Sequence, residues 1–194
     1  MKGDDLRIAI IGGGIAGLAT AIALRNVGLR PIVFESAREI GAVGAGVVLA
    51  ANAIKALRRI GIADAVIPAG HQLDTFYIRD QKGRPIAMAT SRAMNERDGL
   101  SNFAIHRAEL HDILLKEAGD IEFVTAKRSV GIGHGKRDLS VRFQDGTSHR
   151  ADIVLVADGV HSAIRQQLVA DSTPRYAGYT CWRSEERRVG KECA

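Results

Sequence analysis

Short, wholly apolar runs alternate with longer helical patterns through the first third of the chain. Ile8–Ile11 reads as a buried strand. Ile15–Val27 reads as a helix, with Leu18, Ile22 and the alanines between them forming a small-residue face suited to packing on a sheet. Gly28 ends that helix, and Pro31 opens a second strand, Ile32–Glu35. A flexible stretch, GAVGAG from Gly41 to Gly46, precedes a helix predicted from an N-cap at Asn52 to about Ile60. Gly61 stops it, and a short helix covers Ala63–Ile67. Strand, helix and strand in this order predict an α/β domain built on a parallel sheet.

The pattern then changes. Leu73–Asp80 and Arg84–Thr90 are predicted strands around the turn Gln81-Lys82-Gly83, the start of a second sheet inserted into the first domain. His106–Ala118 is amphipathic, with Leu110, Ile113, Leu114 and Ala118 on one face. Short strands follow at Ile121–Val124, Lys127–Ile132, Leu139–Phe143 and Ser148–Arg150, with Gln144-Asp145-Gly146 as the hairpin turn between the last two. Ile153–Ala157 is a further buried strand, leading through Asp158-Gly159 to a helix from about Ser162. Tyr176–Trp182 reads as one more strand. There is no internal repeat.

The glycines of the first turn carry chemistry. Gly12-x-Gly14-x-x-Gly17 lies between the first strand and its helix, and Glu35 closes the second strand about 20 residues on, which is the adenine-dinucleotide fingerprint. Gly12 permits the tight turn, Gly14 has no side chain to hold a pyrophosphate away from the backbone, and Gly17 lets the helix pack closely on the strand. The pyrophosphate then rests on the helix N-terminus, where unpaired N–H groups and the helix dipole favour an anion. Glu35 accepts hydrogen bonds from the adenosine ribose, and its charge disfavours the 2′-phosphate of NADP at this position.

Composition narrows the remaining classes. The 194 residues suffice for one substantial domain, and 46% apolar with 25% charged residues suits a soluble globular protein. No apolar run approaches the length of a membrane span, and MKGDDLR leads into the first strand without room for a signal peptide. Cys181 and Cys193 are the only cysteines, so no disulfide framework is expected and a reducing cytoplasm is the default. The net charge of +5 and pI near 9.5 come from scattered basic residues with 5% aromatics, which argues against nucleic-acid binding. His106 and His111 are five apart and do not share a helical face as metal ligands do, so no metal site is expected. Cys181 is read as a small packed residue, and no nucleophile–histidine–acid arrangement is evident.

Five segments in order resemble the FAD-dependent aromatic-ring monooxygenases, the single-component flavoprotein hydroxylases. They are IIGGGIAGL at 10–18, VFES at 33–36, GAVGAGVVLAANAIKAL at 41–57, IHRAEL at 105–110 and ADIVLVADGVHSAIR at 151–165. A sixth, RYAGYTCWR at 175–183, resembles the strand that follows in that family. The group includes enzymes similar to salicylate, hydroxybenzoate, hydroxynicotinate and urate hydroxylases, and the zeaxanthin epoxidases. The resemblance implies a Rossmann-like FAD-binding domain carrying an inserted, incomplete β-rich substrate region. It implies FAD as cofactor, NAD(P)H as a transient electron donor, and O2 with a small aromatic compound as substrates. It places FAD contacts at Gly12, Gly14, Ala16, Gly17, Glu35 and Ser36. Arg107 is expected near the ribityl chain and pyrophosphate, Asp158 in the Asp-Gly turn, Ala45 and Gly46 beside the isoalloxazine, and Val130 at the adenosine through its backbone. No residue of this chain is assigned a catalytic role. Two positions depart from the family: Val156 stands where glycine is usual, with the potential to crowd the Asp158 turn, and Ala51 where proline is common.

After Trp182 the composition breaks. Arg183–Cys193, RSEERRVGKEC, resembles the in-frame translation of a sequencing-library adapter, although the family also has arginine at position 183. The expectation is a truncated gene model: an FAD-binding domain over 1–183, with the start of a substrate sheet at about 73–104 and 174–183, and a non-native tail over 184–194. Such a chain is expected to expose unpaired sheet edges, to be poorly soluble and to lack activity. The alternatives are another FAD enzyme (dehydrogenase, oxidase or epoxidase) and an inactive nucleotide-binding fragment. The aromatic substrate and the oligomeric state are not readable.

Overall fold

A computed structural model describes residues 6–41, 45–91, 102–169 and 174–180. At its centre four parallel strands lie in the order β12-β1-β2-β8: β1 (Ile8–Ile11), β2 (Pro31–Phe34), β8 (Glu122–Val124) and β12 (Ile153–Val156). All four residues of β1 are buried, because both faces of this strand are covered. The two-residue period sends Ile10 toward α1 (Ile15–Asn26), where it packs with Ala21 and Val33. Ala9 and Ile11 go to the opposite core. Arg7 ties the start of β1 to the start of β12 through a two-pronged contact with Asp152, with Nη2 2.7 Å from Oδ1 and Nε 3.1 Å from Oδ2. The Asp152 carboxyl is held down to about 2, first by its hydrogen bond from the Arg7 side chain.

On one face of the parallel sheet lies an antiparallel sheet, β11-β10-β9, made of β9 (Ser129–His134), β10 (Leu139–Phe143) and β11 (Ser148–Ala151). Ile132, Val141, Phe143 and Ala151 meet Ala9, Ile11 and Phe34 there, with Ile164 of α5 (Ala163–Leu168) closing the cluster. The Ser162 hydroxyl caps α5 by accepting from the Arg165 N–H at 2.9 Å, a fit to the predicted helix start.

On the other face, α1 packs against α4 (Arg107–Ala118). Leu18, Ile22, Leu110 and Leu114 form the core with α2 (Ala51–Arg59), α3 (Ala63–Val66) and the antiparallel sheet β3-β7-β4. That sheet comprises β3 (Gly46–Leu49), β4 (His71–Leu73) and β7 (Asn102–His106). The remaining strands, β5 (Thr75–Arg79) and β6 (Pro85–Thr90), make a separate hairpin. Its Phe76, Ile78, Ile86 and Met88 are exposed.

Several predicted boundaries move. The stretch ending at Gly46 leads into β3, which pairs with β7, and β7 itself forms where the local pattern predicts no element. Asn52 is not the N-cap of α2. Ala50 holds that place without a side-chain cap, because the chain leaves its pairing with β7 at Leu49 and turns at once, leaving Asn52 inside the first turn. The strand expected from Lys127 starts at Ser129, since Ala126 adopts φ 58 and bends the chain first. Residues 176–180 form no strand, and Tyr176 and Tyr179 are exposed, with no described strand alongside to pair with them. Cys181, Trp182 and the adapter-like tail lie outside the described residues.

Candidate functional site: a dinucleotide cleft at the glycine turn

At two positions of the turn from β1 to α1 neighbouring backbone leaves room only for glycine. Gly12 has φ 105, and a Cβ there would lie 2.7 Å from the Ala157 carbonyl carbon. A Cβ on Gly17 would overlap the Gly12 carbonyl oxygen, so α1 sits as close to β1 as the backbone allows. Gly14 is different. Its φ of −76 suits any residue, and a Cβ built on it meets nothing within 4 Å. Gly14 is also the N-cap of α1, which has no side-chain cap and no acidic residue in its first turn. The first amides of the helix therefore face open space, as an anion site requires.

A cleft of about 500 Å³ opens in front of this turn. Its wall contains Gly12, Gly14, Glu35, Ser36, Arg107, Val130 and Asp158, so seven of the residues marked in the sequence come together from five places in the chain. Ala16 and Gly17 lie in the first turn of α1 and do not line the cleft, Ala16 exposed and Gly17 buried. Ala45 and Gly46 are also outside it. Ala45 accepts from the Arg107 N–H at 3.2 Å, and Gly46 pairs with His106 across β3 and β7, so these two support the start of α4. Val156 is exposed at the edge of the sheet and does not line this cleft.

Glu35 is held from three sides. Its Oε2 accepts from the Gly13 N–H at 2.7 Å. Its Oε1 accepts from the Ala37 N–H at 2.8 Å and the Ser36 hydroxyl at 2.9 Å. A carboxylate offers about four lone-pair sites, so roughly one remains for a ligand hydroxyl. Burial pushes the Glu35 carboxyl up, and the hydrogen bonds from Ala37, Gly13 and Ser36 outweigh it, leaving it below its ordinary value. Lowered in the fold, this group stabilises the chain fully above its unfolded value of 4.5, and the contribution is lost as pH falls through the folded value. His149 is lowered too, first by burial, so its contribution is full above 6.5 and declines below that. Urea midpoints measured from pH 7 to pH 3 should therefore fall in two stages. Glu35→Gln should make the lower stage smaller without removing it, since Asp152 also loses its contribution there, and should leave the upper stage in place; an unchanged lower stage would contradict the bonding described here.

Asp158 follows β12 in a turn whose Gly159 has φ 85. Its Oδ1 is buried without a hydrogen-bond partner. A buried carboxylate oxygen left in this state is destabilising unless something supplies a donor, and Asp158 is one of the residues that line the cleft.

Three contributions were not legible in the sequence. Gly13 has no room for a Cβ beneath the Phe123 ring, and its N–H holds Glu35. Lys127 borders the cleft while bonding Asp145 and Thr147, and no motif marks it. His111 lies 2.7 Å through Nε2 from the Gly13 carbonyl oxygen, a contact that spacing along α4 does not reveal. His106, its neighbour in the sequence reading, caps α4 by accepting from the Ala108 N–H at 3.3 Å.

A family model described as an FAD binding domain matches residues 5–182. The chain belongs to this FAD binding domain family. Among curated relatives it is 38% identical over 179 residues to an aurachin C monooxygenase/isomerase of Stigmatella aurantiaca, covering 92% of this chain and 46% of that protein. It is 40% identical to the 3-amino-4-hydroxybenzoate 2-monooxygenase of Streptomyces cremeus, covering 94% and 47%. Among solved structures, that of Klebsiella pneumoniae HpxO complexed with FAD and uric acid superposes with a TM-score of 0.74 at 29% identity, covering 87% of this chain and 43% of that one. The chain spans about half the length of the curated relatives it matches. The α/β fold expected from the sequence is the fold of this FAD binding domain. The uncapped helix, the bare Gly14 and the partnerless Asp158 oxygen are features that FAD fits. Among the described residues no helix is long and apolar enough to cross a membrane.

Proposed function

We propose that this FAD binding domain serves a monooxygenase that hydroxylates a small aromatic compound with NAD(P)H and O2. The observation that carries the cofactor half of this reading is the cleft, where the open N-terminus of α1, Glu35 and Asp158, the residue with a partnerless oxygen, line one space. The choice of hydroxylation is supported by relatives named as monooxygenases of aromatic acids, among them a 3-hydroxybenzoate 6-hydroxylase of Polaromonas naphthalenivorans at 34% identity.

In this reading Gly12, Gly14, Ala16 and Gly17 seat the pyrophosphate on α1. Glu35 and Ser36 take the adenosine ribose, and Val130 borders the adenosine. Arg107 brings a permanent cation with a rigid donor fork to the phosphates and ribityl chain. Asp158 accepts a hydrogen bond from the cofactor, and Ala45 and Gly46 bring the start of α4 up to the flavin. Bound FAD supplies the electron transfer and the oxygen activation; the protein's part is to seat it and keep water away. The hairpin β5–β6, within the segment 73–104, begins a substrate sheet, and residues 184–194 are a non-native tail.

The first test is purification without added flavin, followed by titration with FAD. Flavin retained at about one per chain, or saturable quenching of added FAD, supports the cofactor assignment; a chain that does neither refutes it. Hydroxylation is read from 18O2 incorporation into an added aromatic acid by the protein expressed from its own locus, with either nicotinamide cofactor. Cofactor oxidation that yields only hydrogen peroxide for every aromatic tried favours a flavin oxidase instead.

A further inference from the structure

The Gly12–Gly14 turn contains three glycines in a row, the least constrained backbone a protein can offer, yet a ligand site needs its amides fixed in advance. Two side chains from distant parts of the chain fix it. The peptide between Gly12 and Gly13 is anchored through its N–H, which donates to Glu35 Oε2 at 2.7 Å. The peptide between Gly13 and Gly14 is anchored through its carbonyl oxygen, 2.7 Å from His111 Nε2. A trans peptide is planar, with its C=O and N–H pointing in opposite senses. Holding the Gly13 oxygen against α4 therefore directs the Gly14 N–H away from α4.

We infer that His111 is a positioning residue for the cofactor: through Nε2–H it locks the Gly13–Gly14 peptide so that the Gly14 N–H is preset for a pyrophosphate. The inference rests on the FAD reading of the cleft. His111 is partly buried one turn after Arg107, and both border a smaller cleft of about 260 Å³ beside Gly13 and Gly14. The role needs a donor at the position of Nε2. Leucine supplies bulk without a donor. Glutamine places an amide N–H at about the reach of Nε2, and asparagine carries the same amide one methylene short.

The experiment is a set of FAD and ADP titrations of wild type, His111→Gln, His111→Asn and His111→Leu, with urea midpoints measured on the same preparations. His111→Asn and His111→Leu should weaken FAD and ADP by similar factors, each about tenfold, the scale of one lost buried hydrogen bond. His111→Gln should recover most of both affinities. If the Leu variant does not fold, the Gln and Asn pair carries the comparison. Equal affinity in Gln and Asn, or losses that track the urea midpoint and not the donor, would overturn the inference. A wild-type chain that binds neither FAD nor ADP would overturn the cofactor reading and this inference with it. Wild-type binding that no substitution changes would overturn only the role of His111.

Discussion

Gly17→Ala is expected to remove most of the folded chain from solution. The added Cβ overlaps the Gly12 carbonyl oxygen, a main-chain atom with no rotamer to escape into. Gly12 cannot yield either, since it already adopts φ 105 and lies against Ala157 and Asp158 on the neighbouring strand connection. The helix must therefore lift off β1, which opens the contacts of Leu18 and Ile22 with α4 and of Ala21 with Ile10 and Val33. The expected loss exceeds about 3 kcal/mol, the upper range for overpacking a core, because here the obstacle is backbone. Urea denaturation and the soluble yield report it. A midpoint within about 0.5 kcal/mol of wild type would contradict the close approach of α1 to β1.

Gly14→Ala, three residues earlier, is expected to do the reverse: leave the fold intact and abolish tight FAD binding. No atom lies within 4 Å of the added Cβ, and φ −76 carries no strain, so stability should change by less than about 1 kcal/mol, the cost of a poorer N-cap. The space the methyl enters is the one in front of the open helix N-terminus. A pyrophosphate seated there would be displaced, weakening FAD by about a hundredfold, which corresponds to ~3 kcal/mol of steric conflict. Isothermal titration of FAD alongside a urea curve separates the two effects. Unchanged affinity would place the pyrophosphate elsewhere. Together the two glycines distinguish a position that the fold forbids to other residues from one that only a ligand would.

Much of this molecule was written locally. β1, α1, β2, the β5–β6 hairpin, α4 and β10 fall within a residue or two of their predicted bounds, except that the first hairpin strand divides into β4 and β5. Each carries its own period of apolar residues or its own glycine turn. The strand β7 escaped because its five residues depend on partners 54 to 60 positions earlier, in β3, and 29 to 33 positions earlier, in β4. The strand expected at Tyr176 failed for the converse reason: an apolar pattern makes a strand only where another strand lies alongside.

The same division runs through the site. The sequence by itself marked the glycine turn, the acid at the end of β2, the arginine opening α4 and the Asp-Gly turn after β12, because each is a residue type at a fixed place relative to a strand end or a helix start, and the structure brings all four to one cleft. The tertiary structure alone decided that Glu35 spends most of its acceptors inside the protein, that Asp158 keeps one oxygen without a partner, and that His111 reaches the Gly13 carbonyl across 98 residues of chain. Contacts of that kind leave no periodicity and no fixed spacing. They depend on how two helices and a sheet edge pack, and packing is settled only when the whole core forms.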